Sequence, residues 1–148
     1  MARIVLITGA TSGFGKAMAE KFAAAGDRLI LTGRRAERLQ SLQKELSDRQ
    51  GTETCILPFD IRSRKACFEA IESLGDGWKD IDILINNAGL AAGRDYFEEA
   101  DLDDWDSMID TNVKGLLYIT KAVLPAMQRR KQGHIINIGS TAGKEVYE

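Results

Sequence analysis

The sequence predicts an α/β fold built on an open, doubly wound parallel sheet, and two patterns lead to this prediction. Five short apolar runs alternate with segments in which apolar residues return at helical spacing. Strands joined through helices pair in parallel by right-handed crossovers. No repeat, low-complexity tract or linker divides the 148 residues, and only two prolines occur. We therefore expect a single domain that spans residues 1–148.

The five apolar runs are the expected strands. The first is continuous, as is typical of a strand buried on both faces. The expected strands are Arg3–Thr8, Leu29–Thr32, Thr54–Phe59, Ile81–Ile85 and His134–Ile138.

The segments between these runs are the expected helices. The first carries Ala17, Phe22 and Ala23 and is expected to end at Gly26, because glycine favours the residue after a helix. The others are expected over Ala36 to about Arg49, with Leu39, Leu42 and Leu46 on one stripe, over Ser63–Leu74 and over about Asp101–Arg130.

Composition excludes several classes of protein. Lys and Arg number 20 against 22 Asp and Glu, so no surplus of positive charge exists to bind nucleic acid or an anionic membrane. Apolar runs are shorter than the roughly 18 residues of a spanning helix, and the start of the chain leads into a strand rather than a signal peptide, which favours the cytoplasm. We expect Cys55 and Cys67 to be free thiols and no metal site, because one His and two Cys do not make a structural zinc site.

A glycine-rich turn follows the first strand and opens the first helix. It reads Thr8-Gly9-Ala10-Thr11-Ser12-Gly13-Phe14-Gly15. Glycines there permit positive φ and close approach of the backbone to a pyrophosphate, whose charge the helix amino terminus stabilises. A plain strand-to-helix turn is the alternative, but this placement favours a dinucleotide site of the Rossmann type.

The end of the second strand predicts which dinucleotide binds. Where an acidic residue would accept the adenosine ribose hydroxyls, the sequence has Thr32-Gly33-Arg34-Arg35. The guanidinium groups of Arg34 and Arg35 can pair with a 2′-phosphate instead. We therefore expect NADP(H) to bind more tightly than NAD(H).

Two motifs together carry a family resemblance. The spacing TGxxxGxG of the glycine turn is joined by Asn86-Asn87-Ala88-Gly89 after the fourth strand. The chain resembles the classical short-chain dehydrogenase/reductase family over nearly its whole length. Thr32-Gly33-Arg34-Arg35, Leu124-Pro125-Ala126-Met127 and the run from Gly133 to Gly143 look most like its NADP-dependent serine/3-hydroxy-acid dehydrogenase branch.

The resemblance implies roles for further residues. Asp60 would accept a hydrogen bond from the adenine amino group, with the Ile61 backbone N–H nearby, and Asn87, Ala88 and Gly89 would line the cofactor cleft. Asn112 would kink the long helix and hold a water of the proton relay. Ser140 would hydrogen-bond the substrate oxygen during hydride transfer. The cofactor-binding residues implied by the turn and the resemblance are Gly9, Thr11, Ser12, Gly13, Phe14, Gly15, Arg34, Arg35, Asp60, Ile61, Asn87, Ala88 and Gly89.

The family's catalytic Tyr and Lys have no counterpart in this sequence. Tyr147 lies too near Ser140 to match, and no residue follows at the Lys position. The chain therefore resembles the amino-terminal, cofactor-binding portion of an enzyme of roughly 250 residues, without the later strands and helices. Two functions stay open: an NADP-dependent oxidoreductase that interconverts a small hydroxy acid and its keto form, and a nucleotide-binding or interaction module without catalysis.

The helical region 101–130 also has two interpretations. Its apolar residues cover more than one helical face, so one face can meet the sheet and the rest needs another cover. It is either an ordinary buried helix or a subunit-interface helix. The family resemblance suggests a homotetramer. Arg94 is a candidate partner for a substrate carboxylate, or a solvated loop charge, and His134 is expected only to begin a strand.

Overall fold

The computed structural model describes residues 2–145 and contains one five-stranded parallel sheet. The strands are β1 Ile4–Ile7, β2 Arg28–Gly33, β3 Thr54–Pro58, β4 Ile83–Asn86 and β5 His134–Asn137. The helices are α1 Gly13–Ala24, α2 Ala36–Gln50, α3 Arg64–Glu72, α4 Leu102–Ile109 and α5 Leu116–Arg130. The predicted α/β fold is confirmed, with strand ends that differ from the expected ones by one or two residues.

The strand order is β3-β2-β1-β4-β5. The chain builds outward from β1 through β2 to β3, then crosses back and adds β4 and β5 on the other side of β1. The order therefore reverses between β1 and β4. In open sheets of this kind, ligands bind at the carboxyl ends of the strands at that point.

Helices cover both faces of the sheet, because successive side chains of a strand point to opposite faces. On one face Val5 and Ile7 of β1 pack in a cluster with the buried residues of α1 and α2. On the other face Ile4 and Leu6 pack in a cluster with Ile119, Val123 and Met127 of α5. All of β1 is buried, which explains its unbroken apolar sequence.

The helix ends follow the signals in the sequence. Gly26 has φ of 84°, and the amide N–H groups of Gly26 and Asp27 donate to the carbonyls of Ala23 and Phe22. This is the Schellman arrangement, which satisfies the last carbonyls of α1. At the amino-terminal end of α3, the Ser63 hydroxyl accepts a hydrogen bond of 3.2 Å from Ala66 N–H and caps the helix.

The region 101–130 is not one regular helix. A π-helical turn, Asp110–Gly115, separates α4 from α5. Two tertiary contacts coincide with this turn. The Asn112 side chain is hydrogen-bonded to the backbone of Leu90, and Gly115 packs against Ile61 so closely that a Cβ would lie 3.0 Å from its Cγ2. π-turns of this kind are frequent at functional sites.

One face of the region 101–130 stays open. Ile109, Val113 and Leu117 follow one another at intervals of one turn, with 51%, 48% and 57% of their surfaces exposed. The residues that meet the sheet are Ile119, Val123 and Met127. The structure therefore has both the sheet-facing stripe and the second apolar face that the sequence predicts.

Among the described residues, no helix is both long and apolar enough to cross a membrane.

Candidate functional site

A cleft of about 360 Å³ opens at the carboxyl ends of the strands, where the strand order reverses. Five connections contribute to its walls: the loops after β1, β2, β3 and β4, and the π-helical turn. The lining residues are Gly9, Thr11, Ser12, Phe14, Thr32, Gly33, Arg34, Phe59, Asp60, Ile61, Arg62, Asn87, Ala88, Gly89, Leu90 and Thr111.

The glycine turn forms one end of the cleft and is shaped by the absence of side chains. Gly9 and Gly13 have φ of 62° and 54°, which L residues rarely adopt. A Cβ on Gly15 would overlap the carbonyl oxygen of Gly9, and a Cβ on Gly9 would lie 2.9 Å from Cα of Ala88. Gly13 has open space on its Cβ side. The turn thus presents bare backbone and the unpaired amides of the first turn of α1, which fits a pyrophosphate.

Hydrogen bonds join the glycine turn to the loop after β4. The Thr8 hydroxyl accepts from the backbone N–H groups of Asn87 and Ala88 at 3.0 and 2.9 Å. Asn87 Nδ2 donates in return to the carbonyls of Thr8 and Gly9, each at 3.1 Å. The two loops of the topological switch point therefore form one rigid unit. Sequence reasoning assigned no role to Thr8, although a buried Thr at the end of β1 is a signal for such a bond.

The basic residues after β2 occupy different positions. Arg34 lines the cleft, whereas Arg35 precedes α2 as its exposed N-cap residue and is not a lining residue. The one carboxylate among the lining residues is Asp60 at the end of β3. The wall formed by the end of β2 therefore carries positive charge and no acid.

Asp60 is held by a residue that sequence reasoning missed. The Arg62 Nε lies 3.1 Å from each carboxylate oxygen, and Nη2 lies 2.7 Å from Oδ2. The Arg62 backbone N–H donates to Oδ1 at 3.0 Å. Hydrogen bonds from Arg62 hold the pKa of the Asp60 carboxyl below its usual range, and the charge of Arg34 lowers it further. The signal available in the sequence was the short spacing, since Arg62 follows Asp60 by two residues in the loop after β3.

Ile61 is fixed from behind the cleft. The Cys67 thiol donates to the Ile61 carbonyl oxygen at 3.2 Å, and the Ile61 side chain lies against Gly115. Burial raises the pKa of the Cys67 thiol to about 11, so the sulfur keeps the proton that it donates. Both Cys67 and Cys55 are free thiols, as expected.

The two residues expected to act in catalysis, Asn112 and Ser140, do not line the cleft, and only Asn112 contacts one of its lining residues. Asn112 Oδ1 accepts from Leu90 N–H at 2.8 Å, and Asn112 Nδ2 donates to the Leu90 carbonyl at 2.7 Å. Asn112 thus ties the π-helical turn to the lining residue Leu90. Ser140 follows β5, is exposed, and accepts a hydrogen bond of 3.1 Å from Ala142 N–H.

The buried side chain of Asn86 connects β4 with β5 and with α5. Asn86 Nδ2 donates to Oδ1 of Asn137 at 2.9 Å and to the Thr120 hydroxyl at 3.0 Å. Asn86 ends β4 just before Asn87, and Asn137 ends β5 just before the segment with Ser140. The cleft and the Ser140 segment are therefore held in register through β4, β5 and α5.

The remaining candidates are placed as follows. Gly13 and Gly15 belong to the glycine turn but are not lining residues. Arg94 is exposed in the loop before α4, and His134 is the exposed first residue of β5, as expected. Tyr147 lies outside the described residues. Within residues 2–145, no group of three or more His, Cys, Asp or Glu side chains could hold a metal ion.

The chain is similar to proteins of established name. It is 53% identical over 144 residues to the NADP-dependent 3-hydroxy acid dehydrogenase YdfG of Salmonella typhi, with 97% of this chain and 56% of that protein covered. It is 50% identical over 148 residues to sulfoacetaldehyde reductase 2 of Chromohalobacter salexigens, covering 99% and 58%. The chain therefore spans a little over half the length of these relatives.

Solved structures are also similar to the chain, in both sequence and fold. The crystal structure of serine dehydrogenase from Escherichia coli superposes with a TM-score of 0.91 at 53% identity, covering 97% of this chain and 65% of that one. A closed form of serine dehydrogenase complexed with NADP+ gives 0.89 at 53% identity, covering 97% and 56%. The family described as short chain dehydrogenase matches residues 3–148. The chain belongs to the short-chain dehydrogenase family.

Proposed function

We propose that the chain is the NADP(H)-binding domain, residues 1–148, of an NADP-dependent oxidoreductase. The observation that carries the proposal is the cleft at the switch point, with bare glycine backbone at one end and Arg34 at the end of β2. Relatives named as NADP-dependent, and a similar structure complexed with NADP+, support the same cofactor. Two cores against one sheet favour a single domain.

Each part of the cleft suits one part of the dinucleotide. The glycine turn would bind the pyrophosphate through the backbone of Gly9 and Ser12 to Gly15. Arg34, with Arg35 beside it, would pair with the 2′-phosphate. Asp60 and the Ile61 N–H would bind the adenine, and Asn87, Ala88 and Gly89 would lie along the nicotinamide ribose.

The proposed reaction is hydride transfer between a small hydroxy acid and the nicotinamide. The substrate class rests on the 3-hydroxy acid dehydrogenase relatives. Bound NADP+ would accept hydride from the carbon that carries the hydroxyl group. Ser140 would hydrogen-bond the substrate oxygen, and the hydroxyl proton would leave to solvent through the water held at Asn112. Asn112 would orient the loop with Leu90 at the edge of the cleft and hold a water there.

A second candidate is a nucleotide-binding module without turnover. It is favoured by one observation. Ten of the thirteen residues expected to bind the cofactor line the cleft, whereas neither of the expected catalytic residues, Ser140 and Asn112, does. Such a module would bind NADP(H) and show no oxidation of hydroxy acids.

The test is a fluorescence titration of the chain with NADPH and with NADH. We expect NADPH to bind at least about tenfold more tightly, because charge-assisted hydrogen bonds to the 2′-phosphate have no counterpart in NADH. Arg34→Asp should remove this preference. Arg129→Asp is the matched control, since it makes the same change of charge beside Arg130, which contacts Asp82 at the amino-terminal ends of the strands, opposite the cleft.

Equal affinities for the two cofactors, or an unchanged preference in Arg34→Asp, would reject the proposed cofactor. An assay for oxidation of serine or another 3-hydroxy acid, with NADP+ bound, distinguishes the two candidate functions. An increase in absorbance at the wavelength at which NADPH absorbs supports the oxidoreductase. No increase, with NADP+ binding intact, supports the module.

A further inference from the structure

The loop after β3 contains a guanidinium group to which neither the family resemblance nor the cofactor assignment gives a role. Arg62 lines the cleft beside Asp60, and both side chains are about one third exposed. Most exposed ion pairs contribute little to stability. This pair differs, because three donors of one residue converge on one carboxylate within a turn of two residues.

The number of donors limits what Asp60 can still bind. A carboxylate offers about four acceptor positions. Three N–H groups of Arg62 use these positions: the backbone N–H binds Oδ1, Nη2 binds Oδ2, and Nε is shared between the two oxygens. One position is left for a further donor from the cleft. The exocyclic amino group of a purine can direct one of its two N–H groups to that position.

The backbone of the loop is fixed independently of Arg62. The Ser63 N–H donates to the Asp60 carbonyl at 3.0 Å, and the Cys67 thiol donates to the Ile61 carbonyl. The backbone of Gly115 in the π-helical turn packs against that same carbonyl oxygen, so closely that a Cβ there would lie 3.1 Å from it. Removing the Arg62 side chain should therefore free the carboxylate to rotate while the backbone stays in place.

We propose that Arg62 is a positioning residue for purine recognition, which orients the Asp60 carboxylate so that its remaining acceptor position meets the 6-amino group of the adenine. The inference rests on the proposed function, because it assumes that the cleft binds NADP(H). The low pKa of the Asp60 carboxyl agrees with it, since an ionised carboxylate only accepts hydrogen bonds.

The experiment compares two dinucleotides by calorimetric titration of the chain. NADP+ carries the 6-amino group, and its deamino analogue, nicotinamide hypoxanthine dinucleotide phosphate, carries a 6-oxo group that accepts instead of donating. For the wild type we expect NADP+ to bind about tenfold more tightly, the effect of one hydrogen bond to a charged group. Arg62→Met should lower this ratio about threefold or more, chiefly by weakening NADP+.

Three further single variants and one double variant make the result specific. Lys65→Met removes an equal charge three residues away, from an ion pair with Glu69 outside the cleft, and should leave the ratio unchanged. Asp60→Ala should abolish most of the ratio, and adding Arg62→Met to it should have no further effect, because the two residues act as a unit. Arg62→Lys, which keeps the charge without the paired donors, should also lower the ratio and serves if Arg62→Met folds poorly.

The outcomes separate the inference from the proposed function. No binding of NADP+ by the wild type overturns both. An unchanged ratio of the two affinities in Arg62→Met overturns the inference alone, because Arg62 would then not affect recognition of the adenine. An equal loss of affinity for both dinucleotides does the same, because Arg62 would then contact a part that the two ligands share. A ratio that persists in Asp60→Ala overturns it as well, since Asp60 would not be the acceptor.

Discussion

Gly15 is a residue whose lack of a side chain decides the geometry of the glycine turn. We expect Gly15→Ala to destabilise the chain by about 1–3 kcal/mol, because the new Cβ would overlap the Gly9 carbonyl and crowd Asn87 Nδ2 at 2.6 Å. Urea unfolding measures the effect. Gly75→Ala is the control, since a Cβ there meets nothing within 4 Å. Equal midpoints for the two variants would show that the turn adjusts without cost.

Cys67 should make stability depend on pH under alkaline conditions. Burial raises the pKa of its thiol to about 11 in the folded chain, with a further contribution from the charge of Asp60, against an ordinary value of 9.0. Between these values the unfolded chain loses the proton while the folded chain keeps it. The free energy of unfolding should therefore be highest below about pH 9 and fall as the pH rises towards 11.

The measurement is the urea midpoint between pH 8 and pH 11, and the control is Cys67→Ser. Serine keeps a donor for the Ile61 carbonyl but does not titrate in this range. We expect a shallower pH dependence for Cys67→Ser than for the wild type. Parallel curves would mean that other groups account for the alkaline loss of stability.

At the scale of elements, the π-helical turn between α4 and α5 holds the border of the cleft. Asn112→Ala removes both hydrogen bonds to Leu90, each worth about 0.5–1.5 kcal/mol. We expect faster amide exchange in the loop from Ala88 to Gly93, measured by mass spectrometry. Val113→Ala, one residue along on the exposed face, should leave that exchange unchanged. Unaltered protection in Asn112→Ala would contradict the role of this side chain.

At the scale of the whole molecule, two exposed features of the described residues are suited to association: the apolar stripe of Ile109, Val113 and Leu117, and the unpaired outer edge of β5. Unpaired strand edges and apolar patches favour association. We therefore expect the chain to form oligomers through the region 101–130, as measured by light scattering. The double variant Val113→Asp, Leu117→Asp should lower the mass of the oligomer, whereas Tyr96→Asp, at a more exposed aromatic residue outside the stripe, should not.

Two results would contradict this prediction. A monomer for the wild type would show that the stripe tolerates solvent. An unchanged oligomer in the double variant would place the interface elsewhere, with the edge of β5 as the next region to test.

Much of the fold and part of the site could be predicted, because both depend on signals within short stretches of chain. Apolar runs marked the strands, and spacing of one turn marked the sheet-facing stripe of α2. The glycine turn and Arg34 were found because each lies at the end of a strand. Thr8 and Arg62 were missed, because their significance lies in the partners they bond rather than in their own residue type.

The sequence alone predicted the alternation of strands and helices, the parallel sheet, the apolar runs of its interior and the glycine turn at the end of β1. Each of these depends on local periodicity or on backbone freedom at one residue. Tertiary structure alone decided the π-helical form of the turn at Asn112, where the resemblance implied only a kink, the bonds from Thr8 to the loop after β4 and the contact of Ile61 with Gly115. These contacts join residues far apart in the chain, and their geometry exists only once the sheet has brought its strand ends together.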